Sequence, residues 1–259
     1  MARYDVEDHR LPLIGNHGND LSPVLSPRIT EARQYGGLLS LQELQKKRLL
    51  PLQGRKRKVS YTYMFKVDSP FPHFTLEVYD PQKEEVGKIT NKDFKGKWFI
   101  LFFYPADFTF VCPTELLDLN RRREEFRKLK TEIVAVSTDT VYTHKAWVEM
   151  EELLKGFKYQ MAADHNGKFS RELDIYYEEG GMAQRAAFII DPDGVLRAAD
   201  IVSDAVGRSA GEILRKLKAL QFVRNNPGKV CPASWEEGEQ VIVKSIKKAG
   251  KMYKELRRK

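Results

Sequence analysis

FYPADFTFVCPTEL, Phe103 to Leu116, is the stretch on which the architecture turns. It leaves the apolar run Trp98 to Tyr104, crosses a short loop and enters a helical segment, with Pro113 where proline starts helices. Cys112 is thereby placed at a helix N-terminus. Unpaired backbone N–H groups and the positive end of the helix dipole favour the thiolate there, the reactive form of the side chain. Thr109 precedes Cys112 by three residues, so its hydroxyl can face the sulfur or a bound oxygen as donor and acceptor. Pro105 would shield the loop from water. Read singly, Thr109 is equally a plain loop residue and Pro105 a strand terminator.

Outward from this stretch, strand and helix patterns alternate from Phe71 onward, the signature of an α/β fold around a central sheet. Trp98 to Tyr104 reads as a strand, Pro113 to Leu129 as a helix, Glu132 to Ser137 as a strand and Tyr142 to Leu154 as a helix. Strands Ala186 to Ile190 and Val195 to Ile201 flank Asp191-Pro-Asp-Gly194, where Asp193-Gly194 supplies the positive backbone angles of a hairpin turn. Ser209 and Glu212 form a capping box, and Ile213, Leu214, Leu217 and Leu220 line one face of a helix over 209 to 223. Lys244 to Lys259 carries a thin apolar stripe on a basic, solvated terminal helix. Residues 1 to 66 are broken by Pro12, Pro23, Pro27, Gly15 and Gly18, leave room for one short helix from Ser40 to Leu50, and read as a partly mobile extension. The expected organisation is an N-terminal extension (1–66), a catalytic domain (67–224) and a C-terminal arm (225–259).

The chain has 259 residues, 42% of them hydrophobic, enough for a full core. Its net charge of +8 is carried by the ends: residues 1 to 66 hold 12 Lys and Arg against 6 Asp and Glu, and residues 242 to 259 hold 8 against 1. The middle is slightly acidic, and no zinc-finger or RNP pattern accompanies the basic ends, which argues against nucleic-acid binding. No apolar run approaches the roughly 18 residues of a membrane span. The N-terminus has acidic residues and lacks an apolar signal core, which points to the cytoplasm. His9, His17, His73, His144 and His165 show no metal-ligand spacing, and there is no Gly-rich nucleotide loop, so neither metal nor cofactor is expected.

The two cysteines, Cys112 and Cys231, lack Cys-x-x-Cys spacing and are too few for a disulfide scaffold. By position alone they are either inert core thiols or a reactive pair joined by the fold or between subunits.

Pro105, Thr109 and Cys112 match Pro-x-x-x-Thr-x-x-Cys, and in this setting the chain resembles the peroxiredoxin family. The likeness runs from about residue 67 to 240, takes in Val206-Gly-Arg-Ser209 and Val230-Cys-Pro232, and is greatest for the alkyl hydroperoxide reductase C and typical two-cysteine branch. It implies a thioredoxin-like fold, a central mixed β-sheet flanked by helices. It also implies an antioxidant thiol peroxidase in which Cys112 attacks hydrogen peroxide or an organic hydroperoxide and Cys231 resolves the sulfenic acid. Arg185, in Gln-Arg-Ala-Ala-Phe, would hold the thiolate and the leaving oxygen. Glu115 would orient that arginine, Trp147 would stand beside the loop, and Arg208 would add positive field or form a plain surface ion pair. The same resemblance implies intersubunit disulfides in a homodimer, a ring of such dimers, and reduction by thioredoxin or a flavoprotein disulfide reductase. Because Cys231 follows the breaking run Asn225-Asn-Pro-Gly228, it is expected on a mobile arm, and the first turn of the Cys112 helix must unfold for the disulfide to form. Gly180-Gly-Met-Ala183 departs from the Gly-Gly-Leu-Gly of overoxidation-sensitive members, which suggests a resistant enzyme. A different class of function, a holdase chaperone or an electrostatically anchored scaffold, would use the basic extensions instead.

Overall fold

A run of six apolar side chains, Trp98–Phe103, is apolar on both faces, and such a strand is stable only when covered on both sides. In the computed structural model, which describes residues 65–252, this run is a strand buried at every position. Trp98, Ile100 and Phe102 enter one core cluster, while Phe99, Leu101 and Phe103 enter the other, following the two-residue period of a strand.

Around it the strands are, in chain order, β1 (Thr75–Asp80), β2 (Glu85–Thr90), β3 (Trp98–Phe103), β4 (Thr131–Ser137), β5 (Gln160–Ala163), β6 (Tyr176–Tyr177), β7 (Met182–Ala183), β8 (Arg185–Ile190) and β9 (Leu196–Val202). Seven form one sheet in the order β2-β1-β5-β4-β3-β8-β9. The β5–β4 and β4–β3 pairs are parallel and the others antiparallel, so the sheet is mixed. The helices are α1 (Cys112–Arg121), α2 (Arg123–Lys128), α3 (Val141–Met150), α4 (Lys168–Glu172) and α5 (Ala210–Asn225). Leu116 and Leu119 of α1, Phe126 of α2, Trp147 of α3 and Ile213, Leu214 and Leu217 of α5 cover one sheet face. Phe71, Phe74, Phe94 and Phe169 cover the other.

Several expectations are corrected. The single helix from Pro113 to Leu129 is two helices, broken at Arg122, whose backbone (φ −96°, ψ 10°) leaves the helical region. Leu119 and Phe126, one on each side of the break, are both buried in the core. The helix from Tyr142 ends at Met150 and gives way to a 3₁₀ turn, Glu152–Leu154, which buries Leu154. In the β8–β9 turn only Gly194 takes a positive φ, 78°; Asp193 does not. At α5 the Ser209 hydroxyl accepts from the Glu212 N–H, but the Glu212 carboxylate pairs with Arg215, so half of the capping box forms. The sequence reading also passed over β1, β2 and β5. β1 does alternate, with Leu76 and Val78 inward and Thr75 and Glu77 outward, whereas the four residues of β5 are too short to show a period.

Beyond α5, residues 229–243 fold back as a small hairpin. β10 (Lys229–Val230) pairs with β11 (Ile242–Val243), and between them Trp235 is buried against Phe222 at 5.0 Å between ring centroids. The expected terminal helix does not begin at Lys244: a 3₁₀ turn, Ile246–Lys248, runs into Gly250 at φ 73°, and helical backbone starts only at Met252. The Ser40–Leu50 helix and residues 253–259 lie outside the described residues. Among the described residues no helix is long and apolar enough to cross a membrane.

Phe188 is fully buried on β8 and touches the rings of Phe65, Phe71 and Phe103 at 5.1, 5.5 and 5.8 Å. Phe188→Ala is expected to lower folding stability by about 3–5 kcal/mol, read from urea unfolding followed by circular dichroism.

Candidate active site

The sheet order brings the site together. β8 runs antiparallel beside β3, with Ala186 opposite Phe103, so Arg185 at the start of β8 emerges where β3 ends and the loop to Cys112 begins. Cys112 opens α1, with Pro113 in its first turn. Arg208 arrives on the segment leading into α5, whose first residue, Ala210, donates its N–H to the Asp118 carboxylate of α1 at 2.8 Å. The approach of that segment is close: a Cβ at Gly207 would sit 3.1 Å from Val111 Cγ1.

Cys112 has no solvent exposure. Arg185 Nη1 faces its Sγ at 3.3 Å and also donates to Glu115 Oε2 at 2.9 Å. The Arg185 Nε donates to the Asp204 carbonyl at 2.7 Å, fixing the plane of the guanidinium. Glu115 lies one turn along α1 and accepts on both oxygens. Arg208 donates to Oε1 from its backbone N–H (2.7 Å) and Nε (2.9 Å), and to Oε2 from Nη2 (3.1 Å). The same Nη2 reaches the Phe103 carbonyl at 2.8 Å, and the guanidinium lies 3.7 Å over the Phe102 ring. Arg208 is therefore a buried member of the site, not a surface pair.

Burial works against the charge of Arg185, but the Cys112 sulfur and Glu115 carboxylate outweigh it and hold its pKa above the ordinary value. For Arg208, packed deeper, burial prevails over Glu115 and pulls the pKa below the ordinary value.

Pro105 is buried at the end of β3. Thr109 is partly exposed, and its hydroxyl donates to the Ala106 carbonyl at 2.8 Å. With its proton on that carbonyl, the Thr109 oxygen has its lone pairs free to accept. Trp147 lies beneath the loop, 5.8 Å from the Tyr104 ring and 6.3 Å from the Phe108 ring.

A buried network that the sequence reading missed holds this loop. Asp107 accepts from Tyr104 Oη at 2.7 Å, contacts His144 Nδ1 at 2.7 Å, and donates its backbone N–H to Asp139 at 2.9 Å. His144 Nε2 donates to the Ala162 carbonyl at 3.2 Å. Burial raises the Asp107 pKa, with His144 opposing, and raises that of Tyr104 further, with Asp107 adding to the effect. The clamp stabilises a residue that the backbone resists, since Phe108 sits at φ 55°. No local pattern in the sequence ties His144 to Asp107, 37 positions earlier. Among the described residues no cluster of three His, Cys, Asp or Glu side chains could hold a metal ion.

Cys231 is partly buried beside α5, with Sγ 3.9 Å from the Ala219 carbonyl, and both cysteines are free thiols. The fold thus gathers Cys112, Thr109, Pro105, Glu115, Arg185 and Arg208 at one end of β3 and gives Cys231 a separate seat on α5.

Residues 67–199 match the family model described as the AhpC/TSA family, and residues 219–256 match that of the C-terminal domain of 1-Cys peroxiredoxin. The chain is 46% identical over 179 residues to the alkyl hydroperoxide reductase C of Staphylococcus epidermidis, covering 69% of this chain and 95% of the relative. Among solved structures, it superposes on a reduced 2-Cys peroxiredoxin of Plasmodium vivax with a TM-score of 0.65 and 31% identity, over 70% of this chain and 92% of that one. For AhpC of Enterococcus faecalis the TM-score is 0.62 and the identity 40%, over 65% and 99%.

Glu115→Gln leaves two buried guanidinium groups facing a neutral amide. The expected loss is about 3–5 kcal/mol of folding stability, measured by chemical denaturation, because the cations lose their shared counter-charge inside the protein.

Proposed function

The chain belongs to the AhpC/TSA family of thiol-dependent peroxidases, and from that premise we propose that Cys112 is its peroxidatic cysteine and Cys231 its resolving cysteine. The observation that carries this assignment is the buried Cys112 sulfur facing Arg185 Nη1 at 3.3 Å while Glu115 holds that guanidinium from behind. A fixed cation costs no reorganisation when negative charge moves from sulfur to oxygen.

In the proposed reaction the Cys112 thiolate attacks the terminal oxygen of a hydroperoxide. An S–O bond forms, the O–O bond breaks, and the second oxygen leaves as water or an alcohol after taking a proton. Arg185 donates to the oxygens in transit and Thr109 accepts from the peroxide hydroxyl. Hydrogen peroxide and organic hydroperoxides both fit, the latter in keeping with the names of the bacterial relatives. The Cys231 thiolate then attacks the sulfenic sulfur, an S–S bond forms, and the oxygen leaves as water. Thiol exchange with thioredoxin or a flavoprotein disulfide reductase returns two electrons and both thiols.

Because Cys112 is sealed in the core, the first turn of α1 must unwind before its sulfur meets any other thiol. The proposed partner is Cys231 of a second copy, giving a homodimer with two intersubunit disulfides and a ring of dimers. Phe108 and Phe110, exposed on the active-site loop, are apolar surface that such contacts would cover. The cytoplasm, with its dithiol reductants, is the proposed compartment.

The test follows peroxide consumption with a thioredoxin reducing system for wild type, Cys112→Ser and Cys231→Ser, with the oxidised proteins run on a non-reducing gel. Turnover is expected to fall by at least a hundredfold (~10² or more) in Cys112→Ser, in line with loss of a nucleophile. Either substitution is expected to remove the disulfide-linked dimer carrying two bonds. Full activity in Cys112→Ser would sink the assignment, and full activity in Cys231→Ser would reduce it to a one-cysteine mechanism.

A further inference from the structure

The resolving half of the proposed cycle needs its own chemistry, because a thiol buried against a helix is a poor nucleophile until it is ionised. Cys231 lies against α5, with Sγ 3.9 Å from the Ala219 carbonyl. Arg215 precedes Ala219 by one helical turn and so lies on the same face of α5. Its Nη1 donates to the Trp235 carbonyl at 3.2 Å, four residues beyond Cys231. Its Nε and Nη2 are held by the two oxygens of Glu212 at 2.7 and 2.8 Å, a bidentate pair that fixes the plane of the guanidinium. Trp235 is itself anchored: it is 2% exposed, packs on Phe222, and donates from Nε1 to the Glu239 carbonyl at 3.2 Å.

Resting on the two-cysteine assignment above, we propose that Arg215 is a positioning residue for the resolution step: it pins residues 231–235 to α5 through the Trp235 carbonyl and supplies the positive charge that acts on the Cys231 sulfur. Burial pushes the Cys231 thiol up from its ordinary pKa, and the Arg215 charge opposes that push. The neighbouring charges are otherwise engaged. Glu212 and Glu236 act on Arg215, and Lys218 pairs with Glu237 at 3.8 Å. Without Arg215 only the effect of burial remains, so the Cys231 thiolate becomes scarcer at neutral pH.

The magnitude follows from thiol chemistry. Each tenfold loss of thiolate is partly offset by higher nucleophilicity of the more basic sulfur, with a Brønsted coefficient of about 0.4–0.5, so resolution slows by about threefold per tenfold loss.

The experiment uses full-length protein in single turnover, with sulfenic acid and disulfide separated by rapid quench, alkylation and mass spectrometry across pH 6 to 11. Arg215→Gln is expected to form the sulfenic acid at the wild-type rate, to close the disulfide more slowly at pH 7, by about threefold for each tenfold loss of thiolate, and to shift the pH midpoint of closure upward. Arg215→Lys, which keeps the charge, is expected to restore the midpoint. The proposal fails if Arg215→Gln closes the disulfide with the wild-type rate and pH dependence. It fails equally if Gln and Lys are slowed alike with an unmoved midpoint, or if sulfenic acid formation falls by the same factor, since each marks a merely structural role. Peptide mapping of oxidised wild type separates the underlying assignment: absence of a Cys112–Cys231 linkage would overturn the two-cysteine reading and this proposal with it.

Discussion

One buried carboxylate organises the site. Glu115, on the first turn of α1, takes hydrogen bonds from Arg185 on β8 and from Arg208 on the segment entering α5. Two guanidinium groups in a protein interior repel each other and are costly to desolvate, and a shared anion with all its bonds satisfied is what makes the arrangement stable. The ion triad also sets distances. Because Glu115 and Cys112 share one helical turn, whatever holds Glu115 in place holds the sulfur beside Arg185. The contact between Arg185 and the Cys112 sulfur is therefore a by-product of the same interaction that locks α1 to the sheet and to α5.

The second constraint is the sheet itself. β3 is covered on both faces, so its end is a rigid point from which the loop 104–111 departs. The loop carries a non-glycine residue at positive φ, Phe108, and its conformation is held by Asp107, which is gripped by Tyr104 of the loop itself, His144 of α3 and Asp139 after β4. The loop is clamped at one residue and the helix turn is sealed by one ion triad, both outside the paired strands of the sheet core. That division lets the core stay folded while the Cys112 turn unwinds in the proposed cycle. The C-terminal hairpin repeats the design on a smaller scale, since Trp235 and the Arg215–Glu212 pair hold Cys231 against α5 while leaving the hairpin only two paired residues per strand.

Local patterning in the sequence determined the α/β alternation, the β3 strand, the helix opening at Cys112 and the β8–β9 hairpin. Each rests on neighbours within a few residues, as with the apolar run of β3, Pro113 at a helix start and Gly194 in a turn. The family likeness then supplied Arg185 and Cys231, which no local pattern singles out. Hidden from the sequence were the facts that depend on distant parts of the chain meeting. Arg208 could not be told from a surface arginine until its partner proved to be Glu115, 93 positions away. The Tyr104–Asp107–His144 clamp joins a loop to a helix 37 residues on, and the direction of the Thr109 hydroxyl depended on the Ala106 carbonyl alone being in reach. The arm after Asn225 read as mobile because Asn-Pro-Gly breaks a helix, but only the folded chain could show Trp235 finding Phe222 and Arg215. Local sequence sets backbone preference and which faces are apolar, whereas buried charges and hydrogen bonds are decided by which residues the topology brings within 3 Å or so of one another.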